Sequence, residues 1–213
     1  MSNAIGLRER KKQQTRQQIF DAARLLFETK GFDRVSVAEV ARAADVSEVT
    51  VFNYFPTKED LFYGGMEFFE EQLIESVRSR SKGEPAVKAF RRRLLEGVAR
   101  LETKQSVDAI LKAAQLVSAS PSLVAREREI VERYTARLAE VLAAETGADL
   151  DDVEAVTVAS VLMAAHRALV EHVRRRVLAG QRGARLADDY RAQARRAFAR
   201  LERGLSGYAI KKS

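Results

Sequence analysis

The stretch SVAEVARAADVSEVTVFNYFPTKED, residues 36–60, contains three helix starts in close succession, and this limits what the chain can fold into. Ser36 and Glu39 form S-x-x-E, a capping box in which each side chain satisfies a backbone N–H at the helix start. Val37, Val40, Ala41 and Ala44 then supply the buried stripe of a short helix. Asp45 and Val46 leave room only for a tight turn, and aspartate tolerates the left-handed backbone that such a turn needs. Ser47 can cap the next helix. Pro56 ends it, and Thr57 with Asp60 opens another, expected to run to about Arg80. The pattern is helix, short turn, helix.

The second of these helices has two opposed faces. At about 100° per residue, Val51, Phe52 and Phe55 fall on one arc and read as core. Val49, Thr50, Asn53 and Tyr54 fall on the other, a patch of small and hydrogen-bonding groups. Two readings fit. The patch is the outward face of a helix-turn-helix recognition helix, which enters a DNA major groove, or it is an ordinary solvated face in an all-α bundle.

The rest of the chain is helical in character. Alanine, arginine, leucine and glutamate dominate its 213 residues, with three prolines and eleven glycines. Residues 9–30 carry Ile19, Ala22, Ala23, Leu26 and Phe27 at helical spacing, and Gly31 follows as a C-cap. Loop signals at 81–85, 118–122, 146–152 and 180–183 separate helical segments of roughly 86–103, 106–118, 122–145, 150–179 and 185–204. The expected fold is all-α with about nine helices. Ser2-Asn3-Ala4 reads as a tag remnant, so residues 1–4 are set aside.

With no cysteine, disulfide and thiolate chemistry are excluded. No apolar run approaches the ~18 residues of a membrane span, and no signal-peptide core is present, so a cytoplasmic location without a membrane is expected. The net charge of +7 is unevenly placed. Residues 1–60 sum to +1, residues 61–166 to −3 and residues 167–213 to +9. Overall basicity is therefore weak evidence for DNA binding. The better local signal is a basic arm of Arg8, Arg10, Lys11, Lys12 and Arg16, which also reads as merely solubilising.

Residues 15–62, TRQQIFDAARLLFETKGFDRVSVAEVARAADVSEVTVFNYFPTKEDLF, resemble the tetracycline-repressor (TetR) family of bacterial transcription regulators. The matching elements are the Ala-Ala stripe and Phe27, Lys30-Gly31-Phe32, Ser36-Val37, Val46-Ser47, Thr50, Tyr54-Phe55-Pro56 and Lys58-Glu59. The resemblance implies a helix-turn-helix DNA-binding domain at 1–60 and a helical effector-binding and dimerisation domain at 61–213. It further implies a homodimer on a near-palindromic double-stranded DNA operator, usually repressing and released by a small molecule. A ligand wedging the fourth helix would change the separation of the two recognition helices. When DNA-bound, such a protein sits on the nucleoid.

By motif position, the resemblance has Thr50 and Asn53 facing bases or adjacent phosphates. Tyr54 and Lys58 grip the backbone, and Ser36 and Val37 approach a phosphate. The chemistry of these side chains agrees: asparagine pairs bidentately with adenine, and Thr50 or Val49 can meet a thymine methyl. Glu48 suits either the helix dipole or a cytosine amine. Arg16 is a candidate phosphate contact. Two departures stand out. Phe52 replaces a frequent tyrosine, removing a hydroxyl, and Asp45 replaces a common glycine.

Catalytic signatures are lacking: no G-x-S-x-G, no phosphate-binding loop and no metal-ligand cluster. His166 and His172, six apart on one helix, differ by about 240° and cannot share a metal. No enzyme activity, metal or cofactor is expected. The apolar stripes read first as core. A cavity left among them would suit a small, largely apolar effector, lined by Met66, Phe69, Phe90, Leu94, Val98, Ile110 and Met163, with Gln115, Tyr134 and His166 as polar handles. Small-residue stripes with Ala164 and Ala168, and with Tyr190, Ala194, Phe198 and Leu201, suit a four-helix dimer interface. The arginines among them read as solvated surface, or as a secondary anion site.

Overall fold

The computed structural model describes residues 6–64, 66–149, 152–205 and 208. Among these, ten α-helices and no strand occur: α1 Leu7–Lys30, α2 Val37–Ala43, α3 Glu48–Tyr54, α4 Lys58–Tyr63, α5 Met66–Arg78, α6 Ala86–Glu96, α7 Lys104–Ala119, α8 Pro121–Thr146, α9 Val153–Leu178 and α10 Gly183–Leu205. A 3-10 segment, Gly97–Glu102, follows α6. The all-α expectation holds. One expected helix does not: the run from Lys58 toward Arg80 forms two, α4 and α5. Gly64 ends α4, as a residue with poor helix propensity does.

The chain divides into two compact units, Met1–Glu67 with Leu116–Arg126, and Phe68–Gln115 with Glu127–Ser213. The first therefore reaches past residue 60 and takes in the corner where α7 ends and α8 begins. In it, α1 packs on α2 and α4, and α2 on α3. Ile19, Ala23, Phe27, Val40, Val51 and Phe55 are buried. Phe27 meets Phe32 at 4.9 Å between ring centroids. Burying a phenylalanine contributes about 1.5–3 kcal/mol, so a few such rings hold these short helices together.

In the second unit α10 packs against α6, α9 and the 3-10 segment, with Phe90 and Phe198 stacked at 6.2 Å. The buried Arg80 pairs with Glu145, joining the end of α5 to the end of α8. By length and composition α9 is long and apolar enough to cross a membrane, with a mean hydropathy of 1.5 over 18 residues. That departs from the expectation of no such segment. A mean counts alanine and valine all round the helix, whereas Glu154, His166 and Arg167 interrupt every apolar run. One face of α9, including Val158, Leu162, Met163 and Val173, is buried within the chain.

Candidate nucleic-acid interface

The local sequence builds the helix-turn-helix as its spacing requires. Ser36 Oγ accepts the Glu39 N–H at 3.2 Å while the Ser36 N–H donates to Glu39 Oε2 at 2.9 Å. Lys30 donates to the same carboxylate at 2.7 Å. First Lys30 and then the Ser36 bonds hold the Glu39 carboxyl down at about 2. Asp45 adopts φ 51°, the left-handed turn anticipated from its residue type. Gln18 of α1 donates to the Ala44 carbonyl at 2.8 Å, fixing the turn from behind. Ser47 caps α3 by accepting the Thr50 N–H at 3.1 Å.

This arrangement orients α3. Val51 and Phe55 are buried, whereas Glu48, Val49 and Asn53 are exposed. Val49 is 70% exposed. Thr50 and Tyr54 are half-buried, and the Thr50 hydroxyl lies 2.8 Å from Ser47 Oγ. Phe52 does not join the core as its arc suggested; it is 46% exposed. On a seven-residue helix Phe52 and Tyr54 lie about equally far, roughly 80°, from the line between Val51 and Phe55. Helix packing favours Tyr54, and Phe52 joins the outer arc beside Val49 and Asn53. Sequence reasoning left Phe52 out of the candidate interface, although its alignment with a frequent tyrosine was a signal for it.

Cations are held elsewhere on the same unit. The Arg16 guanidinium lies 4.8 Å over the Phe55 ring. Lys58 Nζ lies 4.3 Å over the Phe32 ring and donates to the Asp33 carbonyl at 3.5 Å. Arg8, Arg10, Lys11 and Lys12 are exposed on the first turns of α1. Ser36 is exposed and Val37 half-buried at the start of α2. The first unit thus carries exposed apolar and amide groups together with positive side chains, the mixture that base edges and phosphates call for.

In the second unit, Phe90, Leu94, Val98, Tyr134, Met163 and His166 are buried. Phe69 and Ile110 are half-buried. Phe69 and His166 meet at 5.6 Å between ring centroids, and the buried His166 Nδ1 has no hydrogen-bond partner. Burial, and next the charge of Arg174, push His166 down to about 4. Gln115 is exposed rather than turned toward these residues. The Met66 side chain lies outside the described residues. An open polar cleft of about 650 Å³ sits on α5 and α6, lined by Gln72, Ser76, Glu84, Arg92, Arg93 and Glu96 among others. None of the expected pocket residues lines it. His172 pairs with Asp189 at 2.9 Å, and no cluster of three or more potential metal ligands occurs among the described residues.

Of the residues assigned to a dimer face, Ala164 and Ala168 are exposed. Tyr190, Ala194 and Phe198 are turned into the chain's own core, and Leu201 is half-buried. On α10 the larger apolar side chains belong to the inner face because Phe90 and α9 cover them; the outer face carries Ala192, Arg195, Arg196, Ala199 and Arg200.

Residues 19–63 match the family model described as bacterial regulatory proteins of the tetR family. Residues 84–206 match a second, described as the MftR C-terminal domain. The chain is 32% identical to the HTH-type transcriptional regulator TcmR of Streptomyces glaucescens over 154 residues, covering 70% of this chain and 68% of that protein. It is 30% identical to the nucleoid occlusion factor SlmA of Alteromonas mediterranea over 135 residues, 62% of this chain and 68% of that one. It shares its fold with the SmeT–triclosan complex, at a TM-score of 0.54 and 15% identity, over 90% of this chain and 91% of that one. With both family models matched in sequence order and the helix-turn-helix built as described, the chain belongs to the TetR family of DNA-binding transcriptional regulators.

Proposed function

We propose that the chain works as a homodimeric repressor on a near-palindromic operator, released by a small, largely apolar effector held in the second unit. The observation that carries this reading is the outer arc of α3, where Val49, Phe52 and Asn53 are exposed together. Asn53 reads adenine, while Val49 and Phe52 supply apolar contact to thymine methyls. Thr50, Tyr54, Lys58 and Arg16 hold the backbone, with Ser36 and Val37 approaching a further phosphate. Glu48, at the start of α3, complements the helix dipole.

The dimer forms through the exposed stripe of α9, Val156, Ser160, Ala164 and Ala168, whose small side chains allow close helix approach. The effector binds among the buried apolar residues around Phe69 and Met163, with the unpartnered nitrogen of His166 as its polar anchor. That SmeT is described in complex with triclosan supports a small-molecule site in this fold. An effector releases DNA only by binding better to the conformation whose recognition helices no longer match the groove spacing.

The decisive experiment is selection of binding sites from random duplex DNA at near-physiological salt. An enriched palindrome with half-sites one helical turn apart, or a multiple of it, is the expected result. Salt-sensitive binding without enrichment would replace this reading with an unspecific nucleoid protein. Absence of binding would sink the DNA-binding reading altogether.

A further inference from the structure

We propose that Ser120 and Arg126, in the corner between α7 and α8, are positioning residues for the Lys58 ammonium and thereby set its phosphate contact. The proposal rests on the reading of Lys58 given above. Both residues belong to the first compact unit, although they lie 87 and 66 positions from the residues they hold.

Lys58 is the first residue of α4, and its position depends on the N-cap preceding it. Asp60 controls that cap through one oxygen: Oδ2 accepts the Thr57 N–H at 3.1 Å and the Thr57 hydroxyl at 2.8 Å. Its other oxygen faces Arg126. Oδ1 accepts Arg126 Nε at 3.0 Å and Nη2 at 2.7 Å. Asp60 is only 7% exposed. A carboxylate so buried needs a cation to remain charged at low cost, and Arg126 provides it. Remove Arg126, and Asp60 Oδ1 loses both of its donors, so the carboxylate is left buried without them or turns toward solvent. Either change disturbs the cap from which Lys58 emerges.

The second tether reaches Lys58 from its other side. Lys58 Nζ donates to the Asp33 carbonyl and lies over Phe32. Asp33 is exposed, on the short connection between α1 and α2. Its Oδ1 accepts the hydroxyl of Ser120 at 2.8 Å, and Ser120 is 2% exposed. The Tyr63 hydroxyl donates to the Leu123 carbonyl at 2.9 Å, so the far end of α4 is anchored to the same corner. One corner therefore grips both backbone segments that locate the ammonium. A lysine has a flexible stem, and holding it in place beforehand lowers the ordering cost when a phosphate arrives.

The test is the salt dependence of binding to the enriched duplex pool, because each phosphate contact adds about 0.9 to the slope of log K against log salt. K58A removes one such contact from each protomer of the proposed dimer and is expected to lower the slope by about 1.8. R126A lowers it by a similar amount although Lys58 is still present, and the K58A/R126A pair shows no further loss. R126K, which keeps a cation at Asp60, recovers part of the slope. S120A, a change too small to unfold the unit, moves the slope in the same direction by less. Were R126A to misfold, R126K and S120A would decide. A wild-type slope in R126A, R126K and S120A, whatever their melting temperatures, would make the corner mere structural glue and overturn the proposal. An unchanged slope in K58A would remove the phosphate contact itself, and both readings with it.

Discussion

The imidazole of His166 lies 5.6 Å from the ring of Phe69, and its Nδ1 is buried without a hydrogen-bond partner. Burial first, and the positive charge of Arg174 second, push its pKa from 6.5 to about 4. The folded state therefore holds a neutral histidine across a range where the unfolded chain takes a proton. Stability from this group is fully present above pH 6.5 and is lost as pH falls toward 4, by on the order of 3 kcal/mol at most. Melting temperatures measured against pH should fall through this window, and H166F should flatten the fall. Because H166F also removes an unsatisfied polar group, its stability at pH 7 should match or exceed that of the parent. An unflattened profile would show that other groups carry the acid sensitivity.

Phe52 stands exposed at the edge of the outer arc of α3, beside Val49 and Asn53. F52Y adds a hydroxyl where the family often carries one. We expect tighter operator binding by about 0.5–1.5 kcal/mol for each half-site, the net value of one hydrogen bond, with the salt slope unchanged because no ion is added. F52A should weaken binding instead. Fluorescence anisotropy at fixed salt measures both, and no effect of either change would place Phe52 outside the interface.

Asn53, exposed on α3, is the proposed base reader. N53A should cost about 1–3 kcal/mol on the selected operator and relax the preference at one base pair of each half-site. Repeating the site selection with N53A checks it. A uniform loss on all sequences would make Asn53 a backbone contact.

Gly64 ends α4 against the Phe55 ring. A Cβ there would lie 2.7 Å from Phe55 Cε1 and 3.0 Å from the Asp60 carbonyl oxygen. Phe55 is 2% exposed and has little room to retreat. Glycine to alanine ordinarily favours helix by about 1 kcal/mol. Here overpacking, typically about 1–3 kcal/mol, opposes that gain. G64A should lower the melting temperature and weaken DNA binding through the displaced Phe55. A raised melting temperature would mean the ring yields easily.

Local chemistry alone determined the helix starts. Ser36 with Glu39, Thr57 with Asp60, and Ser47 each satisfy their own backbone donors within three residues, so spacing is enough to find them. The turn at Asp45 was legible for the same reason, since its φ of 51° suits the residue type. Candidate base readers such as Val49 and Asn53 followed, because they lie opposite Val51 and Phe55 on any helix. What tertiary structure decided is everything that depends on which surface a helix meets. Periodicity leaves rotation about the axis undetermined, so only packing chose Tyr54 over Phe52 and turned Tyr190, Ala194 and Phe198 inward. The close approach of Phe55 to Gly64 likewise exists only after the helices assemble. The bonds from Arg126 to Asp60 and from Ser120 to Asp33 join residues 66 and 87 positions apart. No local rule connects such positions, because their proximity is created by the fold itself.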